Sequence, residues 1–175
     1  MLTSAGLLLY RQRDRTEVFL VHPGGPYWVK KDAGAWSIPK GLYGPEEDPL
    51  QAALREFAEE TGFSASPPFL PLGAFKVSRD KTVTVFAAEG DCREEDLVSN
   101  TFAMEWPPRS GQMKSFPEVD RGAWFVEEEA LSRITPGQRA IVAALFRSIT
   151  ASEAAPAPSR SRRKRSRIGR SDAPN

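Results

Sequence analysis

The stretch that decides the fold is GLYGPEEDPLQAALREFAEETGF, residues 41–63. Asp48 is a good N-cap residue, and Pro49 suits the first helical position, where its missing N–H costs nothing. Gly62 falls where a helix stop belongs. Between these signals Leu50, Ala53, Leu54, Phe57 and Thr61 recur at helical spacing and predict a narrow apolar stripe. Glu56, Glu59 and Glu60 gather on a different side and span about 100° of arc. The spacing therefore predicts a helix with one face packed on a sheet and another presenting three carboxylates.

Such crowding has an electrostatic cost. Like charges three or four residues apart on a helix stand about 5–6 Å from one another and destabilise it. The repulsion is about 0.7 kcal/mol per pair in water and about 3 kcal/mol at an effective dielectric of 20. Either the face is simply solvated, or a cation sits among the carboxylates. A divalent ion with a preference for hard oxygen ligands, Mg²⁺ or Mn²⁺, would reverse the sign.

The residues around the three glutamates extend the pattern. Gly41 is followed after five residues by Glu47, and seven more lead to Arg55, Glu56, Phe57, Glu59, Glu60, Gly62 and Phe63. The spacing Gly-x5-Glu-x7-Arg-Glu-U-x-Glu-Glu-x-Gly-U, with U apolar, resembles the Nudix box at every specified position. The resemblance implies an α/β Nudix fold, a mixed sheet sandwiched between helices, over residues 1–150. It also implies Mg²⁺- or Mn²⁺-dependent hydrolysis of a nucleoside diphosphate linked to another group. Metal ligands are then expected from Gly41, through its carbonyl, and from Glu56, Glu59 and Glu60, with Glu59 also a candidate base. Glu47 and Arg55 are expected to pair and lock the loop to the helix, a structural role. Lys40, just before the box, is placed to meet a phosphate.

Outside the box the chain reads as strands interleaved with helices, itself an argument for a layered α/β fold. SAGLLLY and EVFLVHP read as strands flanking a charged turn, and WSIPKG as a short strand after a Gly/Pro-rich loop. SPPFLPLG reads as loop, and AFKVS with KTVTVFAAEG as a hairpin turning at Arg79 and Asp80. NTFAMEWPPRSGQMKSFPEV reads as a long irregular loop, RGAWFVE as a strand, and two helices close the domain, the second over about residues 136–148. Nudix enzymes often add an acidic residue from outside the box, and Glu118 is the first candidate, Glu105 the second. Trp106 and Arg109 in the long loop are candidates for stacking a base and holding phosphates. Tyr27, Trp28, Lys30 and Lys31 form a second aromatic and cationic patch. His22 reads as structural, and Cys92 has no activating neighbour in the sequence.

Composition divides the chain. Residues 1–150 carry 17 Lys and Arg against 21 Asp and Glu, whereas residues 151–175 carry 7 against 2. The tail, with RSRRKRSR, has too little apolar content to order and is expected to be disordered. It would touch nucleic-acid phosphates weakly and nonspecifically, or act as a solubilising extension. With one cysteine, Cys92, no intrachain disulfide can form. No run approaches the roughly 20 apolar residues of a membrane span, so a cytoplasmic protein is expected. Among substrates, a dinucleoside polyphosphate such as diadenosine tetraphosphate is favoured, from the likeness of AGLLLY, GAWSIPKG, KTVTVFAAEG and Trp124 to that branch of the family. A MutT-like nucleoside triphosphate pyrophosphohydrolase is the alternative enzyme, and a non-catalytic RNA- or nucleotide-binding Nudix module the alternative class. The oligomeric state is not legible.

Overall fold

The computed structural model describes residues 2–154. Five strands run through a mixed sheet in the order β4 (Phe69–Ser78), β5 (Lys81–Glu89), β1 (Leu2–Gln12), β2 (Thr16–Pro23) and β8 (Val119–Val126). The short β3 (Lys40–Leu42) also pairs with β1, setting Gly41 opposite Ala5. β1 lies parallel to β5, and every other pairing is antiparallel.

Alternation along the central strands gives the sheet two apolar faces. Ala5, Leu7, Leu9, Phe19 and Val21 pack with Ala52, Ala53 and Phe57 of α1 (Pro49–Thr61). On the opposite face Leu8, Val18 and Leu20 meet Ala130 of α2 (Glu127–Arg133) and Ile141, Val142 and Leu145 of α3 (Arg139–Ala154). The result is the expected helix–sheet–helix sandwich. α1 begins where the sequence indicates: the Asp48 carboxylate accepts from Leu50 N at 3.0 Å and Gln51 N at 3.1 Å. It ends at Gly62, whose φ of 75° is open to glycine at little cost.

Four expectations are corrected. SPPFLPLG is not all loop, because Phe69, Leu70 and Pro71 already pair with β5 in the edge strand β4. Pro71 is tolerated there since the register shifts just after it and its nitrogen is not needed by a second neighbour. The long irregular segment is instead a hairpin, β6 (Thr101–Glu105) with β7 (Met113–Pro117). WSIPKG forms isolated bridges, Ser37 to Val21 and Trp36 to Ile134, before β3 begins at Lys40. The last helix starts after a 3-10 turn at Pro136–Gln138 and runs on to Ala154. Of the tail expected over residues 151–175, the part from residue 155 lies outside the described residues.

Candidate active site

The geometry of the site begins with Gly41. β3 crosses the side of α1 so closely that a Cβ at Gly41 would overlap the Glu56 carboxylate. Only glycine lets the backbone come this near to an acidic side chain.

Arg55 holds the loop to the helix. Its Nε meets Glu47 Oε1 at 2.9 Å and its Nη2 meets Glu47 Oε2 at 3.1 Å, a two-point pair. The Nη2 also reaches the Leu42 carbonyl at 3.3 Å. The Nη1 of the same guanidinium lies 2.6 Å from Glu56 Oε1 and 3.4 Å from Glu59 Oε2. Arg55 thus touches two of the three clustered carboxylates as well as Glu47, which the sequence reading, assigning it only the Glu47 pair, did not anticipate.

Glu60 faces inward and accepts the Lys40 backbone N–H at 3.1 Å. Burial pushes its carboxyl up to about 7, and the nearby charges of Glu56 and Glu118 add to the rise, against the pull of Lys40. Half-buried Lys40 has its amine lowered, chiefly by desolvation, with Glu60 and Glu56 partly restoring it. Glu118 is exposed yet raised, by desolvation first and then by the charges of Glu56 and Glu59. Glu118 therefore lies close enough to Glu56 and Glu59 to feel their repulsion.

Backbone bonds explain that proximity. Asn100 N donates to the Glu59 carbonyl at 2.8 Å, Glu118 N to the Asn100 carbonyl at 2.8 Å, and Gly24 N to the Glu118 carbonyl at 2.9 Å. The end of α1, the root of the hairpin and the loop after β2 are tied at Glu118. Glu105 is used differently: its Oε1 accepts from Gly111 N at 2.6 Å and closes the hairpin turn. Trp106 and Arg109 are carried to the hairpin's far end, five residues past Thr101 in the case of Trp106, or about 17 Å of strand. Trp106 there meets Tyr27 edge-on at 5.2 Å.

Two other residues have structural surroundings. His22 is fully buried, with Nδ1 2.9 Å from Asp120 Oδ1 and Nε2 2.6 Å from the Lys31 carbonyl oxygen. Burial pushes the Cys92 thiol up to about 12, which leaves it without nucleophilic character.

As they stand, no three carboxylate, histidine or cysteine groups among the described residues converge on a single point for a metal ion. The donor chemistry nonetheless fits a hard dication: carboxylates of Glu56, Glu59 and Glu60 are grouped on one flank of α1, and the Gly41 backbone abuts Glu56. Glu56 and Glu59 are both paired with Arg55 here, so a dication would compete with the guanidinium for the two carboxylates.

Residues 2–145 match the family model described as NUDIX domain. The chain belongs to the Nudix family, whose hydrolases act on pyrophosphate bonds, and it is an enzyme of that kind. It is similar to an uncharacterized 17.7 kDa protein of Enterobacteria phage T4, 32% identical over 143 residues that cover 75% of this chain and 91% of the phage protein. Among solved structures, the NUDIX domain of Shewanella oneidensis NrtR complexed with ADP ribose superposes with a TM-score of 0.59 at 17% identity, covering 85% of this chain and 88% of that one. A C. elegans Ap4A hydrolase binary complex gives 0.55 at 20% identity, covering 86% of this chain and 99% of that one. At such identities the likeness speaks for the fold.

Proposed function

We propose that the protein hydrolyses a pyrophosphate bond within a dinucleoside polyphosphate, diadenosine tetraphosphate being the favoured substrate, with Mg²⁺ or Mn²⁺ as cofactor. The observation that carries this reading is the complete box folded as one unit, with Gly41 against Glu56, and half-buried Glu60 accepting the Lys40 backbone N–H. Carboxylates of Glu56, Glu59 and Glu60 and the Gly41 carbonyl would hold the metal. Once bound, the ion would screen phosphate charge and lower the pKa of the attacking water. Glu59 and Glu118 are the two carboxylates assigned to take the water's proton as its oxygen attacks phosphorus and the bridging P–O bond breaks. Lys40 is assigned to the phosphates near the cleaved bond, and Trp106 and Arg109 to the far end of an extended substrate.

The position of Trp106 supports an elongated ligand over a compact one, since about 17 Å of hairpin separates it from the level of Glu118. The alternative substrate is a nucleoside triphosphate, cleaved in MutT-like fashion. A cytoplasmic location is part of the same proposal; among the described residues no helix is long and apolar enough to cross a membrane.

The test is a Mg²⁺-dependent screen of the purified chain against dinucleoside polyphosphates, nucleoside triphosphates, ADP-ribose and other nucleotide sugars, and capped RNA. Asymmetric cleavage of diadenosine tetraphosphate with the highest kcat/KM is the expected result. Faster turnover of nucleoside triphosphates would move the assignment to the alternative, and no turnover of any compound would leave a binding module.

A further inference from the structure

The two aromatic and cationic patches of the sequence form one surface. The loop of residues 24–35 lies along the hairpin: the Gly25 backbone abuts the Phe102 ring, and Tyr27 meets Trp106. Its base is pinned three times. His22 holds the Lys31 carbonyl, Trp36 Nε1 donates to Asp32 Oδ1 at 2.7 Å, and Arg133 Nη1 donates to Asp32 Oδ2 at 2.6 Å. Beyond these fixings the loop turns large rings to solvent, Tyr27 at 54% exposure and Trp28 at 36%. Rings held outward on a pinned loop contribute little to the core.

Cations lie on the same loop and hairpin. Lys30, Lys31, Arg109 and Lys114 are all exposed, and none takes part in an ion pair among the described residues. Lys31 instead lies over the Trp28 ring, its Nζ 4.6 Å from the centroid. Against these cations stand Glu105 of the hairpin, which accepts from the Gly111 N–H, and Asp32 of the loop, which is already paired with Arg133. A positive surface of this kind complements a polyanion.

We infer that the outer part of this surface, with Tyr27 and Trp28 as stacking rings and Lys30, Lys31 and Lys114 as phosphate contacts, binds single-stranded nucleic acid. Three observations favour a strand over a small molecule or a protein. A small ligand is usually enclosed in a concave site, whereas Tyr27 and Trp28 stand open to solvent. Successive exposed rings with interleaved cations suit unpaired bases, since every base offers a face to stack and every link a phosphate. Unpaired cations around aromatics also disfavour an apolar protein partner, which would leave them desolvated without counter-charge. The inference concerns binding and does not depend on hydrolysis at the carboxylates.

The test uses the full chain in EDTA, with a 12-nucleotide oligouridylate titrated against tryptophan fluorescence and a duplex of equal length beside it. Quenching is expected with the single strand and not with the duplex. Tyr27→Ala with Trp28→Ala should weaken single-strand binding by at least about thirtyfold and abolish its preference over duplex. Lys30→Ala with Lys31→Ala should flatten the dependence of log K on log salt by about 1.4. The lysine pair, with solvent-facing side chains, keeps the test decisive should the aromatic pair disturb folding. Equal binding of both nucleic acids, unchanged in either variant, would assign the affinity to the basic tail and overturn the inference. So would a mononucleotide that competes as well as the strand, or no binding at all.

Discussion

Burial raises the Glu60 carboxyl from an ordinary 4.5 to about 7, so the folded chain resists an ionisation that the unfolded chain undergoes freely. A raised acid lowers stability as pH climbs from about 4.5 to about 7, and the loss persists above that window. Glu60→Gln removes the ionisation yet keeps an oxygen for the Lys40 N–H. In EDTA the variant should match the native protein at pH 4.5 and melt higher at pH 8, by roughly 1–3 kcal/mol or about 3–8 °C. With magnesium and substrate its turnover should fall by orders of magnitude, as should that of Glu59→Gln. Equal melting temperatures at pH 8 would show that Glu60 is not strained by burial. Ser4 offers a simpler case. Its hydroxyl is buried without a hydrogen-bond partner among the described residues, so Ser4→Ala should leave stability unchanged or raise it by about 1 kcal/mol, read from denaturant midpoints.

At the scale of elements, α1 is the part that holds both core and chemistry. Phe57 is fully buried against the sheet, immediately after Glu56 and about one turn before Glu60. Phe57→Ala should cost about 3–5 kcal/mol and lower the melting temperature before it touches catalysis. Arg55→Lys should behave in the opposite way, because an ammonium cannot span Glu47, Glu56, Glu59 and the Leu42 carbonyl as a planar fork does. Its stability should fall by less than about 1 kcal/mol while magnesium affinity, measured by calorimetry, changes severalfold. Most of α1 was legible in sequence because its signals are local: Asp48 and Pro49 at one end, Gly62 at the other, glutamates at fixed spacing. The hairpin was not, since Pro107, Pro108 and Gly111 read as a loop and hid the alternation of Phe102, Met104 and Trp106. Nor was the fully buried Ala52, which sits beside the apolar stripe and is covered only because β1 approaches from that side. The burial of Glu60 was equally hidden, as it depends on β3, some 20 residues earlier, crossing the helix.

Across the whole molecule the sheet separates two tasks. The α2 and α3 side is a plain apolar core, whereas the α1 side brings the box, Glu118 and the aromatic loop to one junction at Gly24, Asn100 and Glu118. Nothing in that junction involves the end of α3, whose buried residues Ile141, Val142 and Leu145 all precede the last two turns. Ending the chain after Ala154 should therefore leave kcat and KM on a nucleotide substrate within about twofold of native and the melting temperature unchanged. Ending it after Leu145 should unfold the domain, because the sheet's second face would lose the packing of Phe146 and Ile149. The charge balance gives the experiment a second reading. Without its last 21 residues the chain is net acidic, so any nucleic-acid binding left over must come from a local positive surface rather than overall charge. Retention of single-strand binding by the shortened chain, at reduced salt dependence, is the expected outcome. Loss of hydrolysis on the same truncation would mean that the basic tail reaches the carboxylate side of the sheet, and the assignment of that chemistry to the folded domain alone would fail.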